Sequence, residues 1–470
     1  MRNVVLLCLD SVRKDYFDKF ARRLTERADV VYDQCRAASG WSIPSHASMF
    51  TGELPHVHGV HSHARDFSQI EAATNFLGDL EAHTRIGVSA NTYASQNYGF
   101  DSFFDVFTQV SNTATFQFES ARSPTDPDLS GVSYVDYLAR ALRDPRPVRS
   151  LLNGVSTKFN PYDILFTGRP WPEIRDKGTK KALSDAQYQI TATECDDCPV
   201  FSFLNLMDAH VPMYHHRGLN RELHTVPNSW TSKSGPTARS VSHHSEEYRD
   251  FIEKYTQLYA ASIDYLDRQV DAWIDAIQRT TSNQTTVVIT ADHGENLGTP
   301  ADEFQFEHHS SLSEAILHVP LVLINPPEGY PETSSTIVSQ LELGDLLVNL
   351  AHEEVFTVGN EPVIAEVIGH TGEDPGGAYW DRMIRCVYEG SRKLTWDSLG
   401  STKLFEIDFD TPSSQSMIDD GIDGFPDEDS TLFSLDILAA KREAVERSLH
   451  TGEPQLDTLR AKQLAALGYR

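Results

Sequence analysis

Short apolar segments alternate with longer amphipathic stretches along this chain. The apolar segments are rich in β-branched residues and predict buried strands at residues 4–9, 86–89, 200–206, 287–290 and 321–324. Between the third and fourth segments, apolar residues recur at helical spacing over residues 255–279, which predicts a covering helix. This alternation predicts an α/β fold with a large mixed, mostly parallel sheet sandwiched by helices.

The alternation is lost in other parts of the chain. Residues 107–192 contain clusters of Pro, Asp and Ser, so we expect an insertion that lies over the site and shapes substrate choice. Residues 215–244 are also irregular and predict a loop. Near the end, four strand-like runs lie at residues 363–368, 383–388, 393–396 and 403–407, and a helix is predicted at residues 435–448. We therefore expect a catalytic domain, residues 1–355, and a smaller C-terminal α+β subdomain, residues 356–470.

The chain has 470 residues with 68 acidic and 40 basic side chains, which gives a formal net charge of −28. This charge argues against nucleic acid or an anionic membrane surface as the main partner, because both would repel the protein. Acidic residues spread over the whole chain are typical of a protein from a high-salt cytoplasm, and an ordinary acidic enzyme is the alternative.

The first apolar run is too short for a signal peptide, and Asp10 follows it at once. No segment approaches the ~18 to 20 apolar residues that a membrane-spanning helix requires. We therefore expect a soluble, cytoplasmic protein without membrane insertion.

The chain has five cysteines, of which only Cys195 and Cys198 are close in sequence. A zinc knuckle would need a second pair, and a thioredoxin-like redox motif would stand at the start of a helix. This pair precedes the strand predicted at residues 200–206, so we interpret it as a surface turn.

Polar residues follow two of the predicted strands. Asp10 comes directly after the first strand, and Asp292 with His293 comes after the strand at residues 287–290. Ligands of open α/β sheets bind at the carboxyl ends of strands. Each residue alone is more typical of a turn or cap, but two carboxylates and an imidazole together suit a divalent cation such as calcium, manganese or zinc.

The segment WSIPSHASMFTG, residues 41–52, supplies a candidate nucleophile. Pro44 restricts the backbone just after Ser42, and the residues that follow can open a helix whose free N–H groups would hold an anion. A serine hydroxyl held in this way can attack phosphorus or sulfur if a metal lowers its pKa. A serine near a proline is otherwise usually a turn or cap residue.

Five segments occur in a characteristic order: VVLLCLDSVR, WSIPSHASMFTG, FSFLNLMDAHVP, VVITADHGEN and FEHHSSLSEAILHVPLVL. With them the chain resembles the sulfatase family of the alkaline phosphatase superfamily, and haloarchaeal sulfatase-like proteins in particular. The resemblance covers most of the chain except residues 107–192. It implies an alkaline phosphatase-like fold and a metal-dependent hydrolase that cleaves a sulfuric or phosphoric ester of a small molecule, glycan or lipid.

The resemblance also implies roles for individual residues. Asp10, Asp292 and His293 would bind one divalent metal ion, and Ser42 would be the nucleophile that shares this ion. In typical sulfatases the residue at the position of Ser42 is oxidised to formylglycine.

Three histidines gain roles only from this resemblance. His210, in MDAHVP, matches a histidine that contacts the sulfuryl or phosphoryl oxygens or the leaving group. His308 aligns with a histidine that precedes the LxVPL strand in many relatives and is a candidate catalytic residue. His309 stands where typical sulfatases place a lysine and is a candidate substrate contact. A core or surface role for His308 and His309 is an equal alternative.

The chain departs from the family pattern at three positions. His46 replaces an arginine, which puts conversion of Ser42 to formylglycine in doubt and makes His46 a candidate substrate contact. Ser11 replaces a second acidic residue after the first strand. A family segment that carries a lysine and a histidine is missing, and Asn91, at its position, is a further candidate substrate contact.

These departures bear on the reaction. A formylglycine hydrate can expel sulfate through its second hydroxyl, whereas a plain seryl sulfate has no such route. A phosphoseryl adduct is open to attack by water or by an acceptor alcohol. Hydrolysis of a phosphoric ester, hydrolysis of a sulfuric ester, and a phosphoryl or phosphoglycerol transferase acting on a glycan or lipid remain alternatives, with an inactive scaffold as a fourth.

Overall fold

The computed structural model describes residues 2–70, 74–110, 134–159, 176–195, 198–308, 310–360, 362–369, 377–420 and 435–448. These residues form a large mixed sheet flanked by helices and a separate antiparallel sheet near the C-terminus. The predicted α/β fold with a smaller C-terminal α+β part is confirmed.

The strands of the described residues are β1 (Asn3–Leu9), β2 (Val30–Arg36), β3 (Thr84–Ser89), β4 (Val106–Gln109), β5 (Val200–Leu206), β6 (Thr285–Thr290), β7 (Asn296–Leu297), β8 (Phe306–Glu307), β9 (Leu321–Ile324), β10 (Thr333–Ser339), β11 (Ile364–Ile368), β12 (Met383–Glu389), β13 (Arg392–Asp397), β14 (Thr402–Ile407) and β15 (Gln415–Asp420). The α-helices are α1 (Lys14–Phe20), α2 (Arg22–Arg27), α3 (Ser42–Thr51), α4 (Pro55–His58), α5 (Tyr134–Ala141), α6 (Pro147–Phe159), α7 (Thr179–Thr193), α8 (Ala238–His243), α9 (Arg249–Thr280), α10 (Glu314–Leu317), α11 (Leu343–Ala351) and α12 (Ile437–Ser448).

The large sheet has eight strands in the described residues, in the order β10-β2-β9-β6-β1-β5-β3-β4. All neighbouring pairs are parallel except those of β9, which runs antiparallel to β2 and β6. Every residue of β1, near the middle, is buried. A strand covered on both faces is apolar throughout, which is why the sequence indicates this strand so clearly. All five strands predicted for this domain are present.

The covering helix α9 begins at Arg249, six residues before the predicted start at residue 255. Its buried face carries large apolar side chains such as Leu258, Leu266 and Trp273. The extra first turns expose charged residues that break the apolar pattern, so the sequence does not reveal them.

The region predicted as an insertion, residues 107–192, is only partly one. Its first residues lie in β4, which pairs in parallel with β3, and its last residues form α7, which packs on β3 and β5. The edge strand β4 is half exposed, and α7 buries small residues such as Ala182 and Ala186. A half-exposed strand and a helix that buries small residues both lack a strong apolar pattern, so the sequence does not predict β4 or α7. The described residues between them form α5 and α6, which pack on each other.

The predicted loop at residues 215–244 is irregular except for a 3-10 turn, Ser232–Ser234, and helix α8. Cys195 and Cys198 lie in a turn as expected, but a disulfide joins them, which the sequence analysis did not predict. Among the described residues, no helix combines the length and apolar character needed to cross a membrane.

The C-terminal sheet, in the order β11-β12-β13-β14-β15, contains the four predicted runs plus the polar edge strand β15. A buried charge cluster connects it to the larger sheet. Glu314 of α10 lies 2.8 Å from Arg36 Nε, at the end of β2, and 3.0 Å from Lys393 Nζ, in β13. The Tyr388 hydroxyl also donates to Glu314. Burial opposes ionisation, but Arg36 and Lys393 outweigh it and lower the pKa of Glu314 to about 2.

Candidate active site

The site lies where the carboxyl ends of parallel strands meet. Asp10 follows β1, Asn91 follows β3, and Asp292 with His293 follows β6, while β5 lies between β1 and β3. Chain reversals after parallel strands bring residues that are far apart in sequence to one edge of the sheet. The predicted site residues of this edge and its loops are buried: Asp10, Ser42, His46, Asn91, His210, Asp292, His293 and His308. His309 lies outside the described residues.

Asp10, Asp292 and His293 offer ligand atoms that all lie within 4.8 Å of one another. Asp292 Oδ1 accepts hydrogen bonds from the backbone N–H groups of Ser11 (3.1 Å) and His293 (3.0 Å). Its Oδ2 is buried, accepts no hydrogen bond from the residues that the structure describes and lies 3.4 Å from His293 Nε2. A buried carboxylate oxygen without a donor is rare, and a divalent cation supplies the missing partner. The three residues therefore fit a metal ion.

The two carboxylates respond differently to burial. Burial and the neighbouring charge of Asp292 raise the pKa of Asp10 well above its usual value. Burial also opposes ionisation of Asp292, but the imidazoles of His293 and His46 outweigh it, and the pKa of Asp292 is lowered. Two acids this close cannot both ionise cheaply without a positive charge between them.

Asp10 is surrounded by donors. Its Oδ1 accepts from the Ser11 hydroxyl at 3.0 Å, and its Oδ2 accepts from the side-chain amides of Asn91 (2.6 Å) and Asn205 (3.2 Å). Sequence analysis missed Asn205. The available signal was a single amide inside the otherwise apolar strand β5, where an unpaired polar group would be costly.

Ser42 is the first residue of α3, and the side chain of the preceding residue, Trp41, caps no N–H group of this helix. The Ser42 hydroxyl accepts from Asn91 Nδ2 at 3.1 Å and lies 3.4 Å from His293 Nε2. His293 Nδ1 donates to the carbonyl of Gly294 at 2.8 Å, which leaves a lone pair on Nε2 facing the hydroxyl. The arrangement places a hydroxyl at a helix N-terminus, where an anion is also stabilised.

His46 lies one turn after Ser42 and is fully buried. Its Nδ1 donates to the carbonyl of Ser42 at 2.6 Å, and its Nε2 accepts from Asn205 Nδ2 at 3.0 Å. Both ring nitrogens are thus engaged inside the protein. Cys8 and His46 also form an overlapping group with Asp292, but burial raises the pKa of the Cys8 thiol well above its usual value and keeps it protonated.

The rings of His210 and His308 lie next to each other, with centroids 5.0 Å apart, and the His308 ring lies 4.6 Å from that of His293. Glu295 Oε1 lies 3.2 Å from His308 Nδ1. His210 Nδ1 donates to the carbonyl of Val211 at 2.6 Å. Burial and the neighbouring His308 lower the pKa of His210 well below its usual value, so the ring is neutral near pH 7.

Lys177, just before α7, was also missed, because it lies in a region where the sequence carries no pattern. Its ammonium donates to the backbone carbonyls of Asp208 (3.2 Å) and His210. Its backbone N–H donates to Asp208 Oδ1 at 3.2 Å. Burial lowers its pKa to about 8, while the charges of Asp208, Asp10 and Glu295 act in the opposite direction. A buried cation therefore lies near the acidic side of the site.

Ser11, which replaces an acidic residue of the family pattern, adopts a left-handed backbone conformation with φ of 62°. This conformation is unfavourable for a residue with a side chain and persists only where the surroundings hold it. Tyr259 of α9 holds the segment: its hydroxyl donates to the Ser11 carbonyl at 2.6 Å and accepts from the Arg13 N–H at 3.0 Å. The strained backbone directs the Ser11 N–H to Asp292.

Comparison with known proteins identifies the family. The family model of sulfatases matches residues 2–353. The chain belongs to the sulfatase family. No match to a curated protein sequence reaches significance.

Solved structures of this sulfatase-family fold are similar over nearly the whole chain. A phosphonate monoester hydrolase from Silicibacter pomeroyi is 14% identical with a TM-score of 0.59, covering 97% of this chain and 97% of its own. That of Agrobacterium radiobacter is 13% identical with a TM-score of 0.56, covering 99% and 96%. A putative sulfatase from Bacteroides thetaiotaomicron is 14% identical with a TM-score of 0.55, covering 86% and 85%. At these identities the similarity concerns the fold.

Proposed function

We propose that this sulfatase-family protein is a metal-dependent hydrolase that cleaves a sulfuric or phosphoric ester by nucleophilic attack of Ser42. The observation that carries the proposal is the position of the Ser42 hydroxyl. It lies at the N-terminus of α3, 3.4 Å from His293 Nε2, beside the two carboxylates Asp10 and Asp292. The solved structures with this fold include enzymes named as phosphonate monoester hydrolases, which act at phosphorus.

Asp10, Asp292 and His293 would hold the metal ion. When bound, a divalent cation lowers the pKa of a nearby hydroxyl and neutralises charge on the oxygens of the transferring group. Calcium, manganese and zinc all accept these donors.

The chain's own residues prepare the nucleophile. Asn91 donates one amide hydrogen to Ser42 Oγ and the other to Asp10, which fixes the hydroxyl oxygen relative to the carboxylate. The hydroxyl oxygen lies 3.4 Å from His293 Nε2, the nitrogen that would bind the metal ion, so the hydroxyl would lie beside the same ion. His46 holds the Ser42 carbonyl from behind, so in this proposal it positions the nucleophile instead of contacting the substrate as the sequence predicted.

The leaving group would be handled on the other side of the site. His210, which is neutral near pH 7, and His308 lie next to each other, and Glu295 Oε1 lies 3.2 Å from His308 Nδ1. In this proposal they bind the oxygens of the substrate or protonate the leaving group.

The chemistry of Ser42 favours a phosphoric ester. His46 is packed inside the protein at the position where typical sulfatases carry an arginine, and a plain serine forms a phosphoseryl adduct that water can cleave by in-line attack. The natural substrate, whether small molecule, glycan or lipid, is set by surroundings outside this core.

The test is the variant Ser42→Ala, assayed with a phosphodiester, a phosphonate monoester and a sulfate ester in the presence of divalent metals. We expect loss of the hydrolysis that the parent shows, while Thr51→Ala, at the other end of α3, keeps it. If Ser42→Ala is as active as the parent, Ser42 is not the nucleophile. If the parent hydrolyses none of these esters, the proposal that the protein is a hydrolase is wrong.

Peptide mass spectrometry around Ser42 separates the two ester classes. A loss of about two hydrogens would identify formylglycine and favour sulfate, whereas an unmodified serine favours phosphate. A competing acceptor alcohol in the same assay detects a transferase, because only a transferase shows saturable dependence on the acceptor.

A further inference from the structure

Lys177 is a buried cation whose charge no side chain of the described residues neutralises directly. In the described part of the chain, its ammonium lies within 4.0 Å of no carboxylate, and its hydrogen-bond partners are the neutral carbonyls of Asp208 and His210. The buried Arg13, by contrast, is paired with Asp15 at 2.8 Å and 2.9 Å. A buried ammonium without a counter-ion is costly, so a bound anion would stabilise the site.

The donor count supports the same conclusion. A lysine ammonium has three hydrogens. The carbonyls of Asp208 and His210 take two of them, and the third has no acceptor among the residues that the structure describes. The Tyr214 ring lies 5.4 Å from Nζ and restricts one side of the ammonium.

The surroundings connect this cation to the site. The carbonyl of His210 that Lys177 holds belongs to the histidine facing His308. The charges of Asp10 and Glu295 reach Lys177, which brings the ammonium within electrostatic range of both sides of the site. An anion bound at the Ser42 hydroxyl would therefore also interact electrostatically with the Lys177 ammonium.

We propose that Lys177 is the substrate-binding cation of this site and that its third N–H donates to an anionic oxygen of the sulfate or phosphate group. This inference rests on the proposed function and deepens it. Lys177 comes from the region that precedes α7 and not from any of the five segments that carry the family resemblance. The chain thus obtains its cation from a part of the sequence that the family motifs do not mark.

A positioning role is the competing explanation, because Lys177 also holds the backbone of His210. A double-mutant cycle separates the two roles. If Lys177 acts only through His210, removing it has no further effect once His210 is absent. If Lys177 contacts the anion itself, its removal weakens anion binding in both backgrounds.

The experiment measures binding of inorganic phosphate to the calcium-loaded protein by isothermal titration calorimetry. The variants are Lys177→Met, and Lys177→Gln, which keeps two N–H donors for the carbonyls but has no charge. Each is made with His210 intact and with His210→Ala. Lys180→Met, which removes an exposed lysine three residues later, in the first turn of α7, is the matched control.

We expect both Lys177 variants to raise the Kd for phosphate by about 10-fold to 100-fold in both backgrounds, as for loss of a charge-assisted hydrogen bond. The Kd for calcium and the Lys180→Met control should change less than about 2-fold. An unchanged phosphate Kd, or an effect confined to the background with His210, would overturn the proposal. If Lys177→Met does not fold, Lys177→Gln carries the test alone.

Failure of this inference is distinguishable from failure of the proposed function, because phosphate binding needs no turnover. If phosphate binding depends on Lys177 but the protein hydrolyses no ester, the inference about Lys177 is supported and the proposed hydrolase function is contradicted. If hydrolysis depends on Ser42 but phosphate binding does not depend on Lys177, the proposed function is supported and the inference about Lys177 is contradicted.

Discussion

The two sides of the site are built differently. The strand-end side, made of Asp10, Asn91, Asp292 and His293, consists of residues that directly follow parallel strands of one sheet. The loop side, made of Lys177, His210 and His308, comes from segments without regular structure and is held together mainly by bonds to backbone carbonyls. The strand-end side has its geometry set by the sheet, whereas the loop side depends on a few specific contacts.

The largest effect is expected from the strand-end side. Asp292→Asn removes the charge of the carboxylate whose Oδ2 has no hydrogen-bond partner in the described ranges of the chain. We expect kcat to fall on the order of 10³-fold or more, together with a large rise in the metal Kd, because the cation loses a charged ligand. Activity assays and calorimetric metal titration measure both. Asp275→Asn on the surface of α9 is the control, and unchanged metal binding in Asp292→Asn would contradict the assignment.

A substitution on the loop side should have a smaller but measurable effect on activity. His210→Ala removes one neutral imidazole while leaving the three residues proposed to bind the metal intact, so we expect kcat to fall about 10²-fold with the metal Kd unchanged. Steady-state kinetics and metal titration of the same preparation give both quantities. The exposed His352→Ala serves as control. A metal Kd that rises as much as in Asp292→Asn would show that the two sides are not separable.

A smaller effect tests the support beneath the strand-end side. Asn205 donates to both Asp10 and His46, so Asn205→Leu leaves both without that donor. We expect a loss of about 10-fold in kcat/KM or in metal affinity, which is usual for residues that orient ligands. Asn360→Ala, at an exposed position, is the comparison. If Asn205→Leu matches the parent in both measurements, Asn205 has no part in orienting Asp10.

The smallest effect on the site is expected at Glu314, whose ion pairs and hydrogen bond described above involve no predicted site residue. Its pKa is about 2 in the folded protein against 4.5 as the ordinary value, so the carboxylate stabilises the fold above about pH 4.5, and this contribution is lost as the pH falls toward 2. Glu314→Gln should lower the free energy of unfolding by about 3 kcal/mol at pH 7 because Arg36 and Lys393 lose their counter-charge.

Thermal unfolding of the parent and of Glu314→Gln between pH 3 and 7 checks this prediction, with kcat measured at pH 7 on the folded fraction. The difference between the two proteins should shrink as the pH decreases, and kcat should be unchanged. A difference that grows toward acid would contradict the pKa shift.

The same contrast explains what the sequence could predict. The strands β1 and β6 are continuous apolar runs that end in charged residues, so the sequence locates both the strands and Asp10 and Asp292. Asn205 and Lys177 carry no such signal, because one amide in a strand and one lysine before a helix acquire meaning only from neighbours distant in sequence. For His46, the sequence indicates a place near the nucleophile but not the direction of the ring.

The buried charge cluster around Glu314 has a consequence for handling the protein. Glu314 and Arg36 lie before residue 355, while Lys393 and Tyr388 lie after it. A fragment that ends at residue 355 would keep the Glu314 carboxylate and the Arg36 guanidinium but lose the Lys393 ammonium and the Tyr388 phenol. It would also expose to water the Glu314 and Arg36 side chains, which are buried in the whole chain. We expect such a fragment to be insoluble on expression, so the two halves must be produced as one polypeptide.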